Sequence, residues 1–384
     1  MRFEFATANR VVFGAGTVKE AAPAARAFGE RALVVIGDSV ERAEGLLAQL
    51  RAAGLAVSVF QVFDEPKVET ALAGVTQARA QNCNLVIALG GGSVLDTGKA
   101  IAALLTNPGE PYDYLEVVGR GQALVNPSAP MIAIPTTAGT GSEVTRNAVL
   151  AATQQKVKVS LRSPWMLPRL AIVDPELTYS LPPAVTASTG LDALTQVIEP
   201  FLSNAANPMT DALCREGMRR AARSLRQACE HGDDALARED MSLVSLFGGM
   251  ALANAKLGAV HGFAGPIGGM FPAPHGAVCA RLLPIVLEVN WRAIQERMPQ
   301  SIILQRFDEV AQILTGKGQA RADEGIAWLK ELAAALKIPP LAEYGVTTAD
   351  FPVIAAQAQK ASSMKGNPLE LTESELLKIL GMAG

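Results

Sequence analysis

The sequence predicts an N-terminal α/β domain, with a parallel sheet covered by helices on both faces, followed by an all-α domain. A length of 384 residues is typical of two domains. The first 180 residues alternate short β-branched apolar runs with helical stretches, and the strand pattern nearly disappears after the prolines at 182 and 183. We therefore place the boundary near Leu181, giving domains 1–181 and 182–384. A single large α/β domain is the alternative.

Apolar runs in the first half predict buried strands, and the segments between them have helical spacing. We expect strands at 32–36, 57–60, 85–89, 131–134 and 170–173, with helices at 40–53, 68–80 and 93–105. Continuous apolar strands separated by helices are typical of a parallel sheet with both faces covered. The second half predicts helices at 184–203, 208–230, 235–256, 276–289 and 323–336.

Composition excludes several classes of protein. Lys+Arg 34 against Asp+Glu 37 gives a net charge of −3, and aromatic residues are only 5% of the chain, so no nucleic-acid partner is expected. The four cysteines have no short spacing, which favours a reducing compartment. The N-terminus has no apolar signal-peptide region, and the apolar stretch 84–105 is interrupted by Asp96, Lys99 and three glycines. We expect a cytoplasmic protein without a membrane partner.

A glycine-rich loop follows the predicted strand 85–89. Gly90, Gly91 and Gly92 precede Ser93, which can cap the next helix. Glycines let the backbone approach a phosphate closely, and a helix N-terminus offers unpaired N–H groups and a positive dipole. The pattern indicates a phosphate site, although glycine triplets also occur in ordinary tight turns.

A second polar loop, IPTTAGTGSE at 134–143, follows the predicted strand 131–134. Its hydroxyl groups come from Thr136, Thr137, Thr140 and Ser142, and its glycines permit tight turns. Two such loops at the carboxyl ends of strands in one open sheet would line one ligand crevice.

The usual dinucleotide fingerprint, GxGxxG after the first strand, is absent. The strand 32–36 instead ends in Gly37 and Asp38, so a bound dinucleotide would place its pyrophosphate on the later glycine loop and its adenosine ribose near this strand end. A carboxylate at Asp38 would accept hydrogen bonds from the ribose and repel a 2′-phosphate. If Gly37 occupies that position, NADP would fit; we favour NAD.

Three histidines are present, of which His231 lies in a polar turn and is predicted to be solvated. His261 and His275 flank a Gly/Pro-rich connection between helices, and Asp192 and Gln196 are spaced to lie on one helix face. One carboxylate with two imidazoles would form a divalent-metal site with an open position for substrate. Structural histidines and a locally paired Asp192 are the alternative.

These motifs together resemble the iron-containing (group III) alcohol dehydrogenase family over essentially the whole chain. The matching stretches are VVFGAG, GGGSVLDTGKA, IPTTAGTGSEVTRNAV, LAIVDPELT, LPP, TGLDALTQVIEPF, the segments around His261 and His275, and the late GNP. The resemblance implies an N-terminal dinucleotide domain, a C-terminal helical domain and an active site between them. It also implies a homodimer.

The resemblance assigns roles to individual residues. It implies a cofactor set of Asp38, Gly90, Gly91, Gly92, Ser93, Asp96, Thr136, Thr137, Thr140 and Lys158. It implies Asp192, Gln196, His261 and His275 as metal ligands, for Fe²⁺ or Zn²⁺, with Gln196, His261 and His275 also catalytic. The chain departs from the family at Gln196 and at Gly265, where histidines are usual.

Three functional hypotheses follow. The first is an NAD(P)-dependent oxidoreductase that interconverts a small alcohol and its aldehyde or ketone with metal assistance, Gln196 being a fourth ligand or a hydrogen-bond donor. The second is a metal-independent reductase of an oxo acid, with Gln196 and a protonated histidine stabilising the oxyanion. The third is a redox-inactive nucleotide-binding protein.

Overall fold

A computed structural model describes residues 2–384, which form two compact units. The α/β unit contains residues 7–137 and 141–179, and the helical unit contains residues 2–6, 138–140 and 180–384. The domains expected from the sequence, 1–181 and 182–384, differ from these units at residues 2–6, 138–140 and 180–181. Neither unit is one continuous stretch of chain.

The α/β unit alternates strands and helices, as predicted. Its elements are β1 (Val11–Phe13), α1 (Ala21–Phe28), β2 (Arg31–Ile36), α2 (Glu44–Ala52), β3 (Ala56–Gln61), α3 (Val68–Ala80), β4 (Leu85–Gly90), α4 (Gly92–Thr106), α5 (Pro111–Tyr114), β5 (Met131–Pro135), β6 (Asn147–Ala152), β7 (Val157–Arg162) and β8 (Leu170–Val173).

Six strands form one sheet in the order β1-β8-β5-β4-β2-β3, and all neighbours in it are parallel. Helices α3 and α4 pack on one face and α1 and α2 on the other. This confirms the predicted fold class. Strand β1, which has only three residues, and the antiparallel hairpin of β6 and β7 were not predicted from the sequence.

The chain reverses its direction across the sheet between β2 and β4. From β2 it moves to the edge strand β3, then returns to the other side of β2 and continues through β4 and β5. Loops leaving adjacent strands at such a reversal diverge to opposite faces and leave a crevice at the carboxyl ends. The loops after β2 and β4 flank this crevice, and they contain Asp38 and Gly91.

The helical unit confirms the predicted all-α second half. Its helices are α6 (Pro183–Leu202), α7 (Pro208–Glu230), α8 (Ala235–Ala255), α9 (Ala259–Met270), α10 (His275–Arg297), α11 (Ile302–Thr315), α12 (Ala322–Ala335), α13 (Phe351–Lys360) and α14 (Glu373–Ala383).

One expectation for this half was wrong. The stretch taken as a Gly/Pro-rich connection is mostly helix α9, so only residues 271–274 connect it to α10. Glycine and Pro266 argue against a helix, but Val260, Phe263 and Ile267 of α9 are buried in the core, and this packing outweighs weak propensity. The helix predicted at 276–289 is present as part of α10, which starts at His275 and continues to Arg297.

Among residues 2–384, no single helix is long and apolar enough to cross a membrane. Helices α8 and α9 meet such a criterion only as a pair, and they are bent by 100° at the break between them.

Asn254 and Asn367 link distant segments of the helical unit by hydrogen bonds. Asn254 in α8 accepts a hydrogen bond from the Ala6 N–H at 2.7 Å and donates to the Ala6 carbonyl at 2.9 Å. Buried Asn367 exchanges amide hydrogen bonds with Asn290, at 2.9 and 3.0 Å, and accepts from the Ala259 N–H at the start of α9. Asn367, in the late GNP segment, thus fixes where α9 begins.

We expect Asn367→Ala to lower the free energy of unfolding by roughly 2–4 kcal/mol, because it leaves the Asn290 amide and the Ala259 N–H buried without partners. Denaturant unfolding of the variant measures this loss. The Asn290→Ala, Asn367→Ala double variant should lose less than the sum of the two single variants. Additive losses would show that the amide pair is not the stabilising contact.

Candidate active site

Helix α6 provides three polar side chains to the interior of the helical unit. Asp192, Gln196 and Glu199 follow one another at i, i+4 and i+7, which places them on one face of the helix. All three are buried. Glycines let the neighbouring helices approach α6 closely, since a Cβ at Gly217 would lie 2.8 Å from Val197 and one at Gly248 would lie 3.0 Å from the Gln196 Cβ.

Helices α9 and α10 each bring one histidine to Asp192. His261 Nε2 lies 3.3 Å from Asp192 Oδ1, and His275 Nε2 lies 3.9 Å from the same oxygen. The two imidazole rings are tilted by 53° with their centroids 5.4 Å apart. The fold therefore brings together the Asp and the two His that the sequence singled out. His231, in contrast, is exposed at the end of α7.

Cys279 is a fourth member of this cluster and was not predicted from the sequence. It lies four residues after His275 on α10, so both side chains lie on one face, and its Sγ is 3.7 Å from His275 Nε2. One ligand atom each from Asp192, His261, His275 and Cys279 falls within 4.8 Å of every other. The i,i+4 spacing from His275 was the signal available in the sequence, but it required knowing that α10 begins at His275.

Glu199 was also missed, and it orients His261. The Glu199 Oε2 atom lies 2.6 Å from His261 Nδ1, and Oε1 accepts a hydrogen bond from the Val260 N–H at 2.7 Å. A carboxylate only accepts hydrogen bonds, so Nδ1 carries the proton and Nε2 faces Asp192. Carboxylates that fix a histidine in this way are typical of metal centres.

The electrostatics of the cluster favour the charged forms of Asp192 and His261 despite their burial. Burial acts to raise the pKa of Asp192, but the nearby His261, His275 and Gln196 side chains lower it to about 2. Burial acts to lower the pKa of His261, but the Cys279 sulfur and the carboxylates of Asp192 and Glu199 raise it well above its usual range. Burial raises the pKa of the Cys279 thiol to about 12.

The donor set fits a divalent metal ion. Asp192 is only 2% exposed, yet its Oδ1 has no hydrogen-bond partner. A buried carboxylate oxygen without a partner is costly unless a cation or a donor satisfies it. Carboxylate, two imidazoles and a thiol are all ligands of Zn²⁺ and related ions. This set suits zinc or iron better than magnesium, which prefers oxygen ligands alone.

The two departures from the family pattern have different surroundings. Gln196 is buried with its Oε1 atom unpartnered, and this oxygen lies 3.6 Å from where a Gly248 Cβ would be. Gly265 lies one turn after His261 on α9, and a Cβ added there would meet nothing within 4 Å. Space for a side chain is therefore present at position 265.

In the α/β unit, the glycine loop leads directly from β4 into α4. The N-cap of this helix is Gly91 and not Ser93, which lies in its first turn. A Cβ at Gly90 would lie 2.5 Å from Val94, so this position cannot bear a side chain. A Cβ at Gly91 would lie 3.3 Å from Thr137, so the two predicted loops are adjacent. The Thr136 N–H also donates to the Gly90 carbonyl at 3.0 Å.

The end of β2 lies beside this loop, because Ile36 and Leu89 are paired in the sheet. Asp38 is exposed two residues beyond the strand, and its carbonyl accepts a hydrogen bond from Gln61. Gly37 is closer to the glycine loop, its added Cβ falling 4.0 Å from Val94. Asp38 thus lies on the adjacent strand end with its carboxylate toward solvent.

Asp96 is part of a buried polar network behind the loop. Its carboxylate accepts hydrogen bonds from Ser142 and from the Val149 N–H, and it pairs with Lys99 at 3.0 Å. Lys99 is fully buried, which lowers its pKa, and Glu143 in the same region has its pKa raised by burial to about 7. The network joins α4 to the threonine loop, so Asp96 holds the two loops together.

Lys158 and Thr140, also in the predicted cofactor set, lie outside the network of Asp96 described above. Lys158 in β7 is nearly buried and forms an ion pair with Glu65 at 3.1 Å. Thr140 belongs to the helical unit, although Thr136 and Thr137 belong to the α/β unit. The roles of both in cofactor binding remain predictions.

Comparison with known families matches both parts of the chain. Residues 8–175 match the family described as iron-containing alcohol dehydrogenase, and residues 186–384 match the C-terminal part of the Fe-containing alcohol dehydrogenase family. The 1,3-propanediol dehydrogenase of Klebsiella pneumoniae is 36% identical over 394 aligned residues, covering 99% of this chain and 98% of the relative.

Solved structures give the same result. The crystal structure of a 1,3-propanediol oxidoreductase superposes with a TM-score of 0.90 at 35% identity, covering 100% of both chains. A sulfoacetaldehyde reductase from Bifidobacterium kashiwanohense, solved in complex with NAD⁺, superposes with a TM-score of 0.86 at 30% identity, covering 100% of this chain and 99% of the other.

We expect Glu199→Gln to weaken divalent-metal binding by about ten- to a hundredfold, because an amide no longer fixes the His261 tautomer. Titration with Zn²⁺ in competition with a chelator measures the affinity. Glu288→Gln is the matched control, since Glu288 is a buried carboxylate of the same unit that pairs with Lys330 and Arg292 instead. Equal weakening in both variants would point to a general loss of stability.

Proposed function

Because the chain belongs to the iron-containing alcohol dehydrogenase family, and is thus an alcohol dehydrogenase-like oxidoreductase, we propose that it interconverts a small alcohol and its aldehyde or ketone with NAD and a divalent metal. The observation that carries the proposal is the convergence of Asp192, His261 and His275, with the Asp192 oxygen buried and unpartnered.

A bound NAD would supply the hydride acceptor for the alcohol carbon, and a bound divalent ion would supply a Lewis acid for the substrate oxygen. Asp192, His261 and His275 would hold the ion, and Glu199, by binding His261 Nδ1, would leave His261 Nε2 available as a ligand. The low pKa of Asp192 keeps this carboxylate charged at neutral pH. The first-turn amides of Gly92 and Ser93 would bind the pyrophosphate, because the start of a helix leaves N–H groups without intrahelical partners.

The preference for NAD rests on Asp38. Its carboxylate lies at the end of the strand next to the glycine loop, where it would accept hydrogen bonds from ribose hydroxyls and repel a 2′-phosphate. The structural relative solved with NAD⁺ supports the same choice.

We also propose a cytoplasmic location and a homodimer. All four cysteines are free and buried, as is typical of proteins in a reducing compartment. The dimer rests on the family resemblance alone and is measured by light scattering on the purified protein.

A panel of small alcohols, diols and aldehydes tests the proposed function. Protein purified without chelator should reduce NAD⁺ with at least one alcohol, lose activity after chelation and regain it with Zn²⁺ or Fe²⁺. Full activity after complete metal removal would favour the metal-independent reductase. The absence of nicotinamide-dependent turnover across the panel would favour a redox-inactive nucleotide-binding protein.

We expect Gly91→Val to weaken dinucleotide binding at least about tenfold, or ~1.4 kcal/mol. The branched side chain would occupy the space where the backbone must approach the pyrophosphate, while its Cβ meets only Thr137 at 3.3 Å, so the fold should persist. Calorimetric titration with NAD⁺ measures the affinity, and circular dichroism checks the fold. Unchanged affinity would show that this loop does not bind the pyrophosphate.

We expect Asp38→Ala to shift the NAD/NADP ratio of kcat/KM toward NADP by roughly five- to tenfold. The removed repulsion between two charges near 4 Å in a solvated site is about 1 kcal/mol or slightly more. Asp64→Ala is the control, since Asp64 is an exposed carboxylate of the same unit. A constant ratio would mean that Asp38 points away from the ribose.

A further inference from the structure

The identity of the fourth metal ligand is open, because Gln196 stands where the family resemblance implies a histidine. Two side chains could fill this position, Gln196 on α6 and Cys279 on α10. Their surroundings in the structure differ, and the difference decides between them.

Gln196 is the poorer candidate. Its Oε1 atom is buried without a hydrogen-bond partner and lies beside Gly248 on α8. An amide oxygen is also a weak ligand for a transition metal compared with an imidazole or a thiolate. Gln196 is therefore the weaker of the two donors for the fourth position.

Cys279 has the geometry of a ligand. In a tetrahedral site with metal–nitrogen and metal–oxygen distances of 2.0–2.1 Å and a metal–sulfur distance of 2.3 Å, neighbouring ligand atoms are about 3.3–3.6 Å apart. The separation of His261 Nε2 from Asp192 Oδ1 is 3.3 Å, that of Cys279 Sγ from His275 Nε2 is 3.7 Å, and that of His275 Nε2 from Asp192 Oδ1 is 3.9 Å. These three separations are close to the distances between neighbouring ligand atoms in such a tetrahedron.

A second observation points into the same space. The Asp192 Oδ1 atom is buried, carries no hydrogen bond and lies nearest to both histidine Nε2 atoms. Cys279 is thus not an isolated thiol, because an unsatisfied oxygen of Asp192 belongs to the same cluster of ligand atoms.

We propose that Cys279 is the fourth ligand, bound as a thiolate, so that this chain has an Asp–His–His–Cys donor set that selects Zn²⁺ or Co²⁺ over Fe²⁺. On binding, the sulfur–metal bond forms as the thiol proton leaves to solvent and the ion loses a water. A thiolate is the softest of the four donors, and it favours zinc more than an imidazole does. The inference rests on the metal-assisted function proposed above.

Cobalt substitution tests the proposal without any activity measurement. A thiolate bound to Co²⁺ gives a sulfur-to-metal charge-transfer absorption in the near ultraviolet, whereas nitrogen and oxygen ligands do not. We expect one equivalent of Co²⁺ to produce this band in the metal-free wild-type protein. The band should be lost in Cys279→Ser and retained in Cys214→Ser, a matched change at another buried thiol of the helical unit.

X-ray absorption on the wild-type zinc form keeps the proposal testable if Cys279→Ser does not fold. We expect one sulfur at about 2.3 Å from zinc. A persistent band in Cys279→Ser, a cobalt-loaded wild type without the band, a zinc shell without sulfur, or a wild type that binds no cobalt would each overturn the proposal. A band without alcohol turnover would refute only the proposed function, and turnover without the band would refute only the Cys279 ligand.

Discussion

The burial of two carboxylates on one face of α6 is the constraint on which the helical unit depends. Asp192 and Glu199 lie in the interior, where a charge without a partner would cost several kcal/mol. Their partners come from chain segments far away in sequence, since Glu199 binds both His261 and the Val260 N–H at the start of α9. Satisfying these carboxylates therefore fixes the position of α9, and with it the histidine that α9 carries.

Close packing of α7 and α8 against α6 restricts the positions of the α6 side chains. Where α7 and α8 cross it, the contact positions are Gly217 and Gly248, and a Cβ at either would lie 3.0 Å or less from an α6 side chain. Close-packed helices leave little freedom for side chains to change rotamers. The distances within the Asp, His and Cys cluster are thus set by backbone contacts as much as by the polar groups themselves.

The sequence predicted the features that depend on local pattern. Buried strands appear as continuous apolar runs, and the loop from Gly90 to Gly92 lies between a strand and a helix, so both could be located. Residues placed by tertiary packing could not: Cys279 and Glu199 reach the cluster only through the register of α10 and α6. Helix α9 was missed because its glycines and proline argue against a helix that burial nevertheless stabilises.

The hydrogen bonds between Ala6 and Asn254 have a consequence for biosynthesis. The two residues are 248 positions apart in the chain. A ribosome therefore produces the Ala6 segment long before its partner on α8, and the segment must wait without this contact while the intervening chain is made. The residues of 7–137, by contrast, find their sheet neighbours within their own unit. Vectorial synthesis thus lets the sheet assemble early but delays closure of the helical unit, and a fragment of residues 182–384 alone would lack the segment that completes it.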